Sequence, residues 1–229
     1  MRWSRADLHM HTTCSDGKPT PEELAQRLGR TPLSVAAVTD HDTVDGAFRV
    51  EEALAGSGPE IVIGSEVTSR DGQVLALFVT RDIPPGMSAE ATIGAIHEQG
   101  GLAVAAHPYS LAEGVGDLAA RLPFDGVETL NGAPLMEMSN ARAAARLARG
   151  RAALVGGSDA HVAWAVGQVH TLFPGAGAAD LRAALLAGQT QPAVYWPGRL
   201  AALPPHLSWL TWLTLRRGRR VPSPPMSRA

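Results

Sequence analysis

The chain is short of cysteine, of lysine and of long apolar runs. Its one cysteine, Cys14, excludes an internal disulfide and with it any sign of export. A single thiol also excludes a thiolate cage for a metal, so Cys14 is read as a packing residue. The one lysine is Lys18. No apolar stretch reaches the ~18 residues of a spanning helix. The opening residues 1–6 carry no apolar segment of the signal-peptide kind, so a cytoplasmic location is expected. Residues 1–198 hold 14 Lys plus Arg against 22 Asp plus Glu, a net of −8, and six arginines with no acid follow from Arg199 on. An acidic body does not suit a general nucleic-acid binder. Gathered carboxylates are, however, what a multi-metal site requires. The 229 residues, 45% of them apolar, suffice for one large domain or a domain plus a tail.

What the chain does have is one placement repeated. Asp7-Leu8-His9-Met10-His11 sets two histidines on the same face of an extended segment. The turn Ser15-Asp16-Gly17 then brings a carboxylate back. Strand-like runs are expected at 5–9, 34–39, 61–65, 74–80, 102–106, 126–130, 152–157 and at Val194-Tyr195. Helices are expected from Thr20-Pro21, with Glu23 completing a capping box, at 43–55, after Ser88, at 138–149 and at 180–186. The alternation predicts an α/β fold with a mostly parallel sheet, open or closed into a barrel. Ligands bind such sheets at the carboxyl ends of the strands. His9/His11, Asp40/His41, Glu66, His107, Glu128/Asn131 and Asp159/His161 all stand at such ends.

Imidazoles and carboxylates fit Zn, Mn or Fe, with Mg also admissible, and their number is too large for one ion. Glu66 is a natural bridge. Closely spaced ions share a hydroxide and stabilise both the attacking and the leaving oxygen of an in-line displacement at phosphorus, which suits phosphate ester hydrolysis.

Five ordered motifs carry a resemblance: Asp7–His11 with Ser15-Asp16-Gly17, Thr39-Asp40-His41-Asp42, Gly64-Ser65-Glu66, Ala106-His107-Pro108 and Gly157-Ser158-Asp159-Ala160-His161. Over roughly residues 5–195 the chain resembles the PHP (polymerase and histidinol phosphatase) family of metal-dependent phosphoesterases, and most of all its short, stand-alone members. The resemblance implies a distorted (β/α)7 barrel with two or three divalent ions. By the family's pattern His9, His11, Glu66 and Asp159 hold one metal, Asp16, His41 and His161 a second, and Glu66 and His107 share a third. Glu128 and Asn131 stand where the family often has a further ligand, which leaves the third metal open. Asp16 stands where some members carry histidine, which favours Mn or Fe. The expected activity is hydrolysis of a small phosphorylated substrate, a nucleotide or a short RNA or DNA end, by a metal-bound hydroxide. Residues 1–195 are expected to form the catalytic barrel and 196–229 a Pro/Arg-rich tail.

Other residues are read beside these. Asp40 and Glu66 are the catalytic candidates, Asp40 as a partner orienting a histidine, as a general acid, or as a helix cap. Asp42 is expected to cap a helix. Asp7 either supports the site or is a solvated strand-end acid, and Glu128 either lines the site or does not. His97 is expected at the surface and His170 in a structural role, while His206 has none assigned. Arg142 is a candidate for phosphate or a solvated helix face. The segment Leu207–Leu213 with Arg216–Arg220 is read as an element docked on the barrel, its alternative being a membrane or RNA contact. The alternative activities are a histidinol-phosphate-type phosphatase, an amidohydrolase-like enzyme and a non-catalytic metal-binding regulatory module. Many amidohydrolases use a carbamylated lysine at a mid-barrel strand end, and Lys18 in the first loop does not supply one.

Overall fold

The computed structural model describes residues 2–195, so His206 and the segment Leu207–Arg220 lie outside the described residues. The chain runs β1 (Trp3–Asp7), α1 (Pro21–Leu28), β2 (Val35–Val38), α2 (Asp45–Leu54), β3 (Glu60–Ser69), β4 (Gly72–Leu77), α3 (Ala89–Glu98), β5 (Leu102–Ala105), β6 (Gly126–Asn131), α4 (Glu137–Leu147), β7 (Ala153–Gly157), β8 (Val169–Pro174), α5 (Ala178–Leu186) and β9 (Gln191–Val194). Thr20 and Glu23 form the expected capping box at α1, and Ser88 caps α3 by accepting from the Ala91 N–H.

Alternation along the strands sorts the core into layers. Val35 and Ala37 of β2 point inward with Val62, Leu75, Val104 and Phe173. Ala36 and Val38 point outward to Leu24 and Leu28 of α1 and Val50 of α2. Ile93 and Ile96 of α3 cover the far side with Val74, Ala76 and Ala103. Every residue of β2 and β5 is buried, as expected of strands covered on both faces.

The strands form one sheet in the order β7-β6-β5-β4-β3-β2-β1-β8-β9, curled into a nearly closed α/β barrel. Parallel pairing is interrupted twice. β4 runs antiparallel to β3 and β5, and β8 runs antiparallel to β1 and β9. The strand expected at 61–65 is longer than its apolar run. Glu60–Ile63 pair in parallel with β2, and the chain then changes partner so that Gly64–Ser69 pair with β4. Glu66 therefore lies inside β3 rather than at its end. β8 was not among the expected strands. It follows β7 with no α-helix between, so the β/α alternation passed over it. β9 begins at Gln191, earlier than expected, and places Pro192 on an edge strand, where a missing N–H costs no ladder bond. Asp42 does not cap α2: it adopts φ +57° and accepts from the Thr68 N–H at 2.7 Å.

The seam closes at the carboxyl end. Beyond Asp7 the chain stays extended, Met10 bridges Ala160 in parallel, and the His11 N–H donates to the Ala160 carbonyl at 3.0 Å. Asp7, fully buried, sits at this junction. Its Oδ1 accepts from Ser158 N–H at 2.9 Å and its Oδ2 from Gly167 N–H at 2.8 Å. Burial pushes its pKa up to about 6, against the pull of these donors. In Asp7→Asn one oxygen becomes an NH2 that cannot accept. A stability loss of about 1–3 kcal/mol is expected in urea denaturation, and an unchanged midpoint would show that the carboxylate does not hold the seam.

Candidate metal centre

The barrel brings the strand-end residues to one place. His9 and His11 come from the extension of β1 and Asp16 from the loop after it. His41 follows β2, Glu66 lies in β3, His107 follows β5, and Asp159 and His161 follow β7. Glu66 is the hub. Its Oε2 stands 3.2 Å from His9 Nε2, 3.3 Å from His11 Nε2 and 3.3 Å from His41 Nδ1, and its Oε1 stands 3.1 Å from His107 Nε2. Asp159 Oδ1 lies 3.5 Å from His9, 3.4 Å from His11 and 3.5 Å from His161. Asp16 Oδ1 lies 3.2 Å from His161 Nε2 and 3.5 Å from His41 Nε2.

These separations fit metal ions. Donors bound at about 2.1 Å to one ion sit about 3.0 Å apart along an octahedral edge and about 3.4 Å apart along a tetrahedral one. Three overlapping groups have donor atoms within 4.8 Å of one another: His11, Asp16, His41 and His161; His9, His11 and Glu66; His9, His107 and Asp159. Buried His9 Nε2 and both ring nitrogens of His11 make no hydrogen bond, and since a neutral imidazole carries one lone-pair nitrogen, each ring has one lone pair left for an ion.

Electrostatics support the same use. Burial pushes the carboxyls of Glu66 and Asp159 up, but the surrounding imidazoles, His9 foremost, hold both well below the usual range. Burial pushes the imidazoles down. The hydrogen bond and charge of Glu66 outweigh it at His107, which rises to about 9. Asp16 and Glu66 do the same at His41, also about 9. His11 is lowered by burial and by the neighbouring charge of His161.

A surrounding layer fixes the donors. Glu128 accepts from the His107 backbone N–H at 2.8 Å, and its other oxygen meets His9 Nδ1 at 3.2 Å, which aims His9 Nε2 at the centre. Asn131 Nδ2 donates to Glu128 and to Asp159 Oδ2. Both residues thus line the site by holding donors in place. These bonds steady His107 at φ +24° and Asp159 at φ +50°, left-handed values unusual for non-glycine residues. Asp40 is fully buried. It accepts from the Thr12 N–H and hydroxyl at 2.7 Å each and from the Ser15 hydroxyl at 2.5 Å, tying down the loop between His11 and Asp16. Thr12 and Gly46 were not singled out in the sequence, and Ser15 was named only as part of the turn that carries Asp16. A Cβ on Gly46 would run into Asp40 Oδ2 and Thr12 Oγ1, so the glycine admits the carboxylate. The remaining candidates stand apart from the donor groups. His97 pairs with Asp125 at 2.8 Å, His170 Nδ1 meets the Gly167 carbonyl, Arg142 lies over the Tyr109 ring, and half-buried Cys14 accepts from Arg49.

Two outcomes follow. Ion uptake needs unprotonated imidazoles, so binding should release protons at pH 7 and weaken as pH falls from about 9 toward 6. Calorimetry in two buffers of different ionisation enthalpy reads this directly, and equal heats in both would exclude it. Gly46→Ala should displace Asp40 and lower metal affinity by about 10–100-fold, the range for lost support around a metal ligand. Metal analysis after dialysis checks it, and undiminished content would remove Asp40 from the site's support.

Comparison with known proteins places this geometry. The family model described as PHP domain matches residues 7–131, and one described as PHP-associated matches residues 137–190. An uncharacterized protein of Methanocaldococcus jannaschii is 39% identical over 139 residues, 56% of this chain and 81% of that protein. A 5'-3' exoribonuclease of Haemophilus influenzae is 40% identical over 63 residues, 28% of this chain and 23% of the enzyme. A two-domain protein of Bacteroides vulgatus, containing a predicted PHP-like metal-dependent phosphoesterase, shares the fold. It has a TM-score of 0.67 at 18% identity, over 85% of this chain and 65% of that one. With the domain model covering over half its length and its motifs converging as donors, the chain belongs to the PHP family.

Proposed function

We propose that residues 1–195 form a metal-dependent phosphoesterase that hydrolyses phosphate esters of nucleotides or nucleic-acid ends. The observation that supports it most is Glu66, whose two oxygens meet four imidazoles at 3.1–3.3 Å. In this reading His9, His11, Glu66 and Asp159 hold one ion, and Asp16, His41 and His161 a second that His11 also approaches. His107 reaches a third with Glu66, and His9 and Asp159 lie within range of it. Bound ions of this kind supply Lewis acidity and an activated water for displacement at phosphorus.

The chain's own part is placement and charge. Glu66, with one oxygen near His9, His11 and His41 and the other near His107, would hold ions bound among these residues. Glu128 and Asn131 orient His9, His107 and Asp159, and Asp40 acts as a positioning residue through Thr12 and Ser15. Both Asp40 oxygens are engaged by that loop, which speaks for support rather than proton donation. Lys18 is exposed and belongs to none of the donor groups, which weighs against the carbamylated-lysine chemistry of amidohydrolases. The nucleotide end of the proposal draws on the similarity to the exoribonuclease segment.

Metal content and phosphate release should be measured together, on nucleoside monophosphates, short RNA and an aryl phosphate with added Mn. Two or three ions per chain and Mn-dependent release are expected. Glu66→Gln should lose metal and slow turnover by at least about a hundredfold, since a bridging ligand contributes several kcal/mol to charge stabilisation. Full metal and full turnover in Glu66→Gln would overturn the assignment. Bound metal without release from any ester would favour a regulatory module.

A further inference from the structure

The opposite end of the barrel holds a second feature that the metal centre does not explain. A cleft of about 640 Å³ opens between the segment before β6 and the turn from α4 into β7. Phe124 and Val127 lie beside the start of β6 and Ala152 beside the start of β7, so the cleft belongs to the amino ends of these strands. The metal donors stand at their carboxyl ends. In an α/β barrel the amino end is the face usually given over to stability.

The lining does not look like a stability device. Four arginines border the cleft: Arg121, Arg146, Arg149 and Arg151. The same acidic body carries only 14 cationic residues before Arg199. Arg146 pairs with Asp117 at 3.3 Å, both half-exposed, and Arg121 feels the same carboxylate. Arg149 and Arg151 have no ion pair among the described residues. Proximity to the negative end of α4 accounts for Arg146 and Arg149. It does not account for Arg121, which follows a different element, or for Arg151, which leads into β7. Beneath the guanidinium groups the floor is apolar, made by Leu122, Phe124, Val127 and Leu147.

We propose that this cleft is a binding site for a small organic phosphate of the nucleoside diphosphate kind, separate from the metal centre. The volume lies within the range of small-molecule sites, roughly 300–1,000 Å³. Guanidinium groups match phosphate oxygens in paired hydrogen bonds. An apolar floor accepts the flat face of a base, which inorganic phosphate lacks. The proposal does not rest on the phosphoesterase reading, because binding here needs neither metal nor turnover.

The test is titration calorimetry on the full chain with adenosine 5'-(α,β-methylene)diphosphate, whose bridging carbon resists cleavage. It is run on metal-free and Mn-loaded protein, and on Arg149→Gln/Arg151→Gln. Both arginines are exposed, so the variant should fold, which its circular dichroism and ester hydrolysis check. One probe per chain is expected on the metal-free protein, and on the Mn-loaded protein that site should persist beside any second probe taken up by the metal centre. The arginine pair should matter by at least about tenfold in affinity, since a charged hydrogen bond contributes about 1.5–3 kcal/mol. Absent saturable binding, binding only in the presence of Mn, or equal affinity in the double variant would each overturn the proposal. Inorganic pyrophosphate should bind more weakly than the probe, and equal affinity would overturn the nucleoside part.

Discussion

The architecture of the centre depends on how the charge of Glu66 is neutralised. This carboxylate is 1% exposed, and an ionised carboxylate without water must be paired or it loses its charge. Four imidazoles surround it; Asp159 shares His9 and His11 with it, and Asp16 shares His11 and His41. Raised pKa values favour protons on His41 and His107, while burial and the charge of His161 lower His11. Divalent ions meet the need for pairing as well and also engage lone pairs that otherwise have no partner, such as His9 Nε2. One set of positions thus serves two charge states. Exchange between them is the simplest physical account of so many titratable groups buried together.

The frame makes that gathering possible through its two departures from a regular barrel. Where β3 changes partner from β2 to β4, its backbone at Glu66 still bridges His41, so a mid-strand side chain reaches the ligands of its neighbour. Where β8 turns antiparallel beside β1, the extensions of β1 and β7 are left to bridge each other at Met10 and Ala160. That bridge sets His9 and His11 against Asp159 and His161. Asp7 and Thr171 join the same seam, Thr171 through hydrogen bonds to both the N–H and the carbonyl of Gly156.

Donors and strands were legible in the sequence for a local reason. His-x-His on an extended segment, Asp-His after β2 and Asp-x-His after β7 sit where an apolar run stops, and the capping boxes and turns are short-range signals. What the sequence left hidden is long-range. Glu66 was expected at a strand end, and nothing local tells β3 to continue with a new partner. β8 (Val169–Pro174) follows the last motif with no α-helix before it, so only its pairing with β1 marks it as a strand. Asp40 offered three readings in sequence because Thr12 and Ser15, 28 and 25 residues away, decide among them. Glu128 is settled in the same way by His9, 119 residues away. Asp42 looked like a cap because it precedes a helix, yet a positive φ turned it toward β3.

The distribution of charge adds a consequence for anionic ligands. An acidic body repels a phosphate at long range. At the carboxyl end imidazoles and carboxylates stand together, and divalent ions held there would add positive charge facing a phosphate. At the amino end the positive charge is built from guanidinium groups that do not titrate in the physiological range. Attraction there is independent of metal and of pH. The arginine-lined cleft and the gathered imidazoles and carboxylates thus stand at opposite ends of β6 and β7, so a ligand bound at the arginines would not compete for the histidines at the other end.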